Sequence, residues 1–161
     1  MTTTESSFDK ARRKMVAARI EFMGQLAKFG KEELKLAPAE GEWSPLQLAH
    51  HLYIADGLAL EQLRRVQDED NPLITNVSVQ APHLTRTSEP PISLESVLGG
   101  MAARREEIYE YLSELPEDAW LRLFRHEEWG QLKFYQLVNV LSAHDQQHAQ
   151  QLIAIRERTK A

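Results

Sequence analysis

Four stretches of this chain repeat apolar residues every three or four positions, which restricts it to packed helices. The first runs from about Phe8 to Phe29, with Met15, Ala18, Phe22, Leu26 and Phe29 on one face and Gly30 as a stop. A short piece, Lys31 to Leu36, adds a turn. The second opens at Trp43-Ser44-Pro45, where Ser44 suits the N-cap and Pro45 the first helical position. Its inner stripe is Leu48, Leu52, Ala55, Ala59, Gln62 or Leu63, and Val66, and it ends in Asp68-Glu69-Asp70. The third follows Pro90-Pro91, is capped by Ser93, and places Leu94, Val97, Leu98, Met101, Ile108, Leu112 and Leu115 inward before Pro116 closes it. Gly99-Gly100 weakens that helix locally, because glycine costs about 1 kcal/mol in a helix interior. The fourth, Lys133 to Arg158, has Leu137, Leu141, Leu152 and Ile155 on its inner face.

Strand signals are few. Ile74, Val77 and Val79 could make a brief extended piece, and Pro116 to Gln131 reads as a short helix over Glu117–Leu123 followed by a loop at Trp129-Gly130. The expected architecture is all-α, a four-helix bundle forming one domain over residues 1–161, with a long crossover, Asp68 to Ile92, between helices 2 and 3. A connection of that length usually has work to do as a crossover, a lid or a dimer contact.

Bulk composition narrows the partners. Net charge is −5 and the basic residues are scattered. The densest group, Lys10, Arg12, Arg13 and Lys14, reads as a solvated helix face, so no nucleic-acid partner is expected. No run of about 18 apolar residues is present, so no membrane span is expected. The amino-terminal residues carry no apolar stretch of the signal-peptide kind, and a cytoplasmic location is the default expectation. With no cysteine, the chain can supply neither a disulfide nor a thiolate, and a metal site must come from His, Asp and Glu.

Three histidines stand out by phase. His144 and His148 are four apart, which on a helix puts their Cβ atoms about 6 Å from each other on one face. Leu137, Leu141, His144, His148, Leu152 and Ile155 form one continuous inner stripe, so both imidazoles occupy core positions. In the second helix His51 falls three after Leu48 and four before Ala55, again inside the stripe. His50 is rotated about 100° away, toward an edge. Buried imidazoles need partners for both ring nitrogens, and one divalent ion satisfies a nitrogen on each of the three rings. Three His ligands with an open position match a zinc-type catalytic site, while nickel, iron and copper also accept imidazole. His51, His144 and His148 are therefore the expected metal ligands.

Other polar residues carry less. His83, in the crossover, and His126, before Glu127-Glu128, are expected to face solvent. Asp145 and Gln147 flank the histidine pair and either orient the imidazoles or lie on the surface. Gln62 could bond a water or substrate. Trp43 and Trp129 are expected to pack at helix ends. No Ser-His-Asp grouping and no phosphate-cradling glycine loop is legible, so no further catalytic residue and no organic cofactor are assigned.

The same residues resemble a known family. Pro38-Ala39-Glu40-Gly41-Glu42-Trp43-Ser44-Pro45 followed by His51-Leu52, and Trp129-Gly130 followed by His144-Asp145-Gln146-Gln147-His148-Ala149-Gln150-Gln151-Leu152, are similar to the second and last helices of DinB/YfiT-like proteins. The resemblance implies a four-helix bundle, a divalent metal on His51, His144 and His148, and homodimers. It also implies thiol-dependent S-transferases using thiols such as bacillithiol or mycothiol, together with some isomerases and hydrolases. The expected function is thus a divalent-metal-dependent enzyme, zinc or nickel first and iron next, acting on a small molecule as a thiol S-transferase. A metal with an open position lowers the pKa of a bound thiol or water. The alternatives are a metal-dependent hydrolase and, in another class, a non-catalytic ligand-binding or stress-related interaction module.

Overall fold

The computed structural model describes residues 5–75, 81–82 and 93–159. Four helices dominate: α1, Ser7–Leu26; α2, Pro45–Asp68; α3, Leu94–Ser113; and α4, Phe134–Thr159. α1 lies along α4 and α2 along α3, with α2 also touching α4. The four-helix bundle expected from the periodicity is the observed fold.

Local chemistry sets the helix ends. The Ser44 hydroxyl accepts from the Gln47 N–H while the Gln47 side chain accepts from the Ser44 N–H, with Pro45 next in line. This reciprocal pair satisfies two donors that the first turn cannot satisfy itself. Ser93 and Ser96 do the same for α3. At the other end of α2, the Arg122 guanidinium donates to the carbonyls of Val66 and Glu69. α1 stops at Leu26, one turn short of the expected end, and Phe29 folds back into the core from the following turn. α3 runs unbroken through Gly99-Gly100. A Cβ on Gly100 would stand 3.2 Å from the Tyr53 ring, so this glycine permits the close approach of α2 and α3.

The segment between α3 and α4 differs from expectation. Glu117–Leu121 is a 3-10 helix, and the presumed loop is a hairpin of β2, Leu123–His126, and β3, Gly130–Lys133. β1, Leu73–Ile74, adds to β2 in parallel, pairing Ile74 with His126. Four-residue strands alternate too briefly to register beside helices of twenty residues or more. Gly130, at φ 79°, makes the turn. Ile74 is thus extended as expected, whereas Val77, Val79 and His83 lie outside the described residues.

The core divides into two apolar clusters. One gathers Met15, Leu63, Val66, Ile108, Leu112, Trp120, Phe124 and Phe134 at the hairpin end. The other gathers Phe22, Leu26, Leu48, Leu52, Met101, Leu152 and Ile155 at the opposite end. On every helix one charged residue separates them: Arg19 on α1, Asp56 on α2, Arg105 on α3 and Asp145 on α4.

Candidate metal centre

The three histidines predicted from phase come together. His51 enters from α2 less than two turns past its capping box, and His144 and His148 from successive turns of α4. His51 and His148 are buried and His144 is half-buried. The Nε2 of His144 lies 3.3 Å from that of His51 and 3.0 Å from that of His148. The ligand atoms of all three fall within 4.8 Å of one another.

The donor set fits a metal ion. His148 Nδ1 donates to the side-chain Oε1 of Gln151 at 2.8 Å, which places that ring's proton on Nδ1 and leaves Nε2 as a lone pair on the side of the other two rings. The three nitrogens have too few protons to satisfy each other at these distances, whereas one cation accepts all three lone pairs. Tetrahedral ligation at about 2.0–2.1 Å separates ligand nitrogens by roughly 3.3 Å, close to the two spacings made by His144, within a set that spans no more than 4.8 Å. Burial, reinforced by the neighbouring imidazoles, pushes the His51 pKa down to about 3. Burial, with His148 and the nearby arginines, takes His144 to about 4 against the pull of Asp56. His148 is lowered too, chiefly by burial. All three rings are neutral at pH 7, the form that ligates.

The surroundings are specific. The Trp43 ring packs 4.8 Å from His51, so this tryptophan covers a candidate ligand as well as a helix end. His50 is half-buried at the edge, its ring 6.4 Å from that of Tyr53, and stays outside the cluster. Asp145 is fully buried, settling the choice between interior and surface, but its partners are arginines. Gln147 is exposed. Gln62 is buried and donates to the Thr75 carbonyl at 2.8 Å.

His126 corrects the expectation of a solvent-facing side chain. It is buried at the end of β2, and its Nδ1 accepts from the backbone N–H groups of Glu128 and Trp129. The Trp129 indole lies flat on it, with centroids 4.1 Å apart. Two acidic neighbours make the segment read as surface, while the strand's alternation turns this one residue inward.

Sequence reading missed the charged quartet beside the histidines. Arg19 donates to Asp56 at 2.9 Å and to both oxygens of Asp145 at 3.1 Å. Arg105 donates to Asp56 at 3.1 and 3.3 Å and to Asp145 at 3.1 Å. Although burial opposes its charge, Asp56 and Asp145 hold the Arg105 guanidinium above its ordinary pKa. The signal was present: each of the four stands in phase with an apolar stripe, as Arg105 does between Met101 and Ile108.

Comparison with known proteins agrees with this architecture. "Uncharacterized protein YuaE" of Bacillus subtilis (strain 168) is 26% identical over 152 residues, covering 88% of this chain and 94% of its own. YfiT from Bacillus subtilis, described as a probable metal-dependent hydrolase with an unusual four-helix bundle topology, superposes with a TM-score of 0.73 at 14% identity, over 99% of this chain and 91% of that one. The mycothiol-dependent maleylpyruvate isomerase superposes at 0.66 with 12% identity, over 91% of this chain and 62% of that one. The colibactin self-resistance protein ClbS, solved in complex with double-stranded DNA, superposes at 0.70 with 10% identity, over 96% and 98%. At these identities the structures share the fold. ClbS corrects the expectation that acidic balance excludes nucleic acid, since a protein of this fold binds DNA; net charge averages over the surface and is blind to local faces. Among the described residues no helix is long and apolar enough to cross a membrane. The DinB superfamily model matches residues 11–152, most of the chain, and this protein belongs to the DinB superfamily.

Proposed function

We propose that this protein is a divalent-metal-dependent enzyme of the thiol S-transferase type, with His51, His144 and His148 as the metal ligands. The observation carrying the reading is the convergence of three neutral imidazoles on one point, with the His148 proton held away from it by Gln151. When bound, a divalent ion lowers the pKa of a thiol or water in its open position and supplies a nucleophile at neutral pH. Zinc or nickel is the expected ion, with iron next.

The chain's own residues favour a thiol over water. No cysteine is present, so the sulfur must arrive on a small-molecule co-substrate. The buried carboxylates nearest in sequence to the ligands, Asp56 and Asp145, are each bonded to two arginines and are poorly placed to take a proton. Hydrolysis would want such a base, whereas a thiol activated by its site needs none. The description of one fold neighbour as mycothiol-dependent supports the same side. Hydrolysis is the second reading, favoured by the description of YfiT.

Elemental analysis beside a His148→Ala variant tests the site: one metal per chain, lost in the variant, is expected. Thiol consumption with an added electrophile, dependent on that metal, tests the reaction. Turnover of esters or amides without thiol would move the assignment to hydrolysis, and bound metal with neither activity would favour a binding module.

A further inference from the structure

A cleft of about 310 Å³ lies between α2 and α4, with His144 in its wall. Ala55 and Ala59 form one side, Leu137, Val140 and Leu141 the other, and the Trp129 indole stands at its edge. Its described lining holds no Asp, Glu, Lys or Arg: Gln62, Gln147 and the candidate ligand His144 are its polar residues. Three other cavities among the described residues differ. The one beside Trp43 and Gln151, about 480 Å³, includes Glu42 and Arg158. The remaining two include Lys31, Lys35 and Glu95, and Lys10 and Lys14.

Trp129 is half-exposed, at 54%, yet it is not loose. It lies flat against His126, whose Nδ1 accepts from the Trp129 and Glu128 N–H groups. Bonds to the backbone and ring stacking hold the indole in place before any ligand arrives, and such preorganisation reduces the ordering needed on binding. A large aromatic ring held in water at the rim of an uncharged cleft beside a candidate metal ligand is a recognition surface. The volume sits at the small end of the roughly 300–1,000 Å³ typical of ligand pockets, enough for one or two fused rings.

We infer that this cleft seats the uncharged, apolar part of the electrophilic substrate, an aromatic group of one or two rings lying against Trp129 with its reactive carbon toward His144. The inference rests on the S-transferase reading for what the seated group then does. Inside the cleft a cation would lose hydration with no carboxylate in the lining to replace it.

Binding separates the two ideas. Naphthylmethanol and its cationic counterpart naphthylmethylammonium are titrated against the metal-loaded protein by ligand-observed NMR at neutral pH. The alcohol is expected to bind at least about tenfold more tightly than the ammonium. Ala143→Phe, which fills the cleft from a solvent-exposed position on α4, should weaken the alcohol by about tenfold, and Trp129→Ala by about fivefold, the scale of a lost aromatic contact. Metal content should be unchanged in both. Equal binding of the two probes, or alcohol binding indifferent to both substitutions, would overturn the assignment. Alcohol binding that follows these variants in a protein showing no thiol turnover would uphold the cleft and remove the transferase reading.

Discussion

The Arg19–Asp56–Arg105–Asp145 quartet and the His51–His144–His148 triad are neighbours in the same bundle, both polar and both largely buried, yet they are completed differently. In the quartet two guanidinium groups face two carboxylates and the formal charges cancel. Six hydrogen bonds link it and leave one buried nitrogen, Arg105 Nη1, without a partner among the described residues. In the triad His148 Nε2 carries no proton, so at most one of the two Nε2 contacts can be a good hydrogen bond. A buried polar cluster that closes on itself is architecture, and one that remains open calls for a partner from outside. Burial alone does not separate the two; the count of donors against acceptors does.

Breaking the quartet should have the largest effect. Asp145→Ala removes a partner from both arginines and leaves Arg105 charged in the core, which should destabilise the protein by about 3–5 kcal/mol in urea unfolding. A small loss would mean that water reaches the cluster and that it is less closed than described. Removing a triad member acts through the ligand. Wild-type protein at a metal concentration a hundredfold above Kd should gain about 2.7 kcal/mol over the metal-free form, and His148→Ala should gain nothing, as read from melting with and without metal. Gln151→Ala keeps all three ligands but frees the His148 tautomer. It should weaken metal binding by roughly 10–100-fold in competition with a chelator while leaving the metal-free melting temperature nearly unchanged.

The smallest effect is that of pH on the metal-free protein. The folded-state pKa values of His51 and His144, about 3 and about 4, lie below the ordinary 6.5, so the unfolded chain binds more protons in the interval between. Stability from these rings is therefore complete above about pH 6.5 and is lost as pH falls toward the folded values. Between pH 7 and 6 the two should weaken folding by on the order of 1 kcal/mol together. Arg105, held charged by its carboxylates, does not titrate in this window. Stability unchanged across that unit of pH would show the triad to be wetter than its burial indicates.

The sequence made the triad visible and hid the quartet, although the same rule applies to both. His51, His144 and His148 interrupt apolar stripes with a residue type that has a familiar use, so their phase invites a reading. Asp56 interrupts a stripe equally, between Ala49 and Leu60, as does Asp145 between Leu141 and Ala149. A charge in such a position passes for the edge of a solvated face unless four helices are compared at once. The helices themselves were legible because caps and periodicity agree over twenty residues. The hairpin was not: β2 and β3 have four residues each, and β1 has two, paired only through contacts distant in sequence.

That hairpin has a bearing on how such a protein diversifies. Among the described lining of the cleft it supplies the one residue not carried by a helix, and its turn, Glu127 to Gly130, is exposed throughout. Side-chain substitutions there touch neither helix cap nor apolar core, so the turn can vary while the Glu128 and Trp129 N–H groups keep buried His126 satisfied and the metal-centre histidines stay as they are. Descendants of one ancestor could thus acquire new substrates by changing a few residues at this tip, a separation of inherited framework from adjustable mouth that lets a single bundle serve many chemistries.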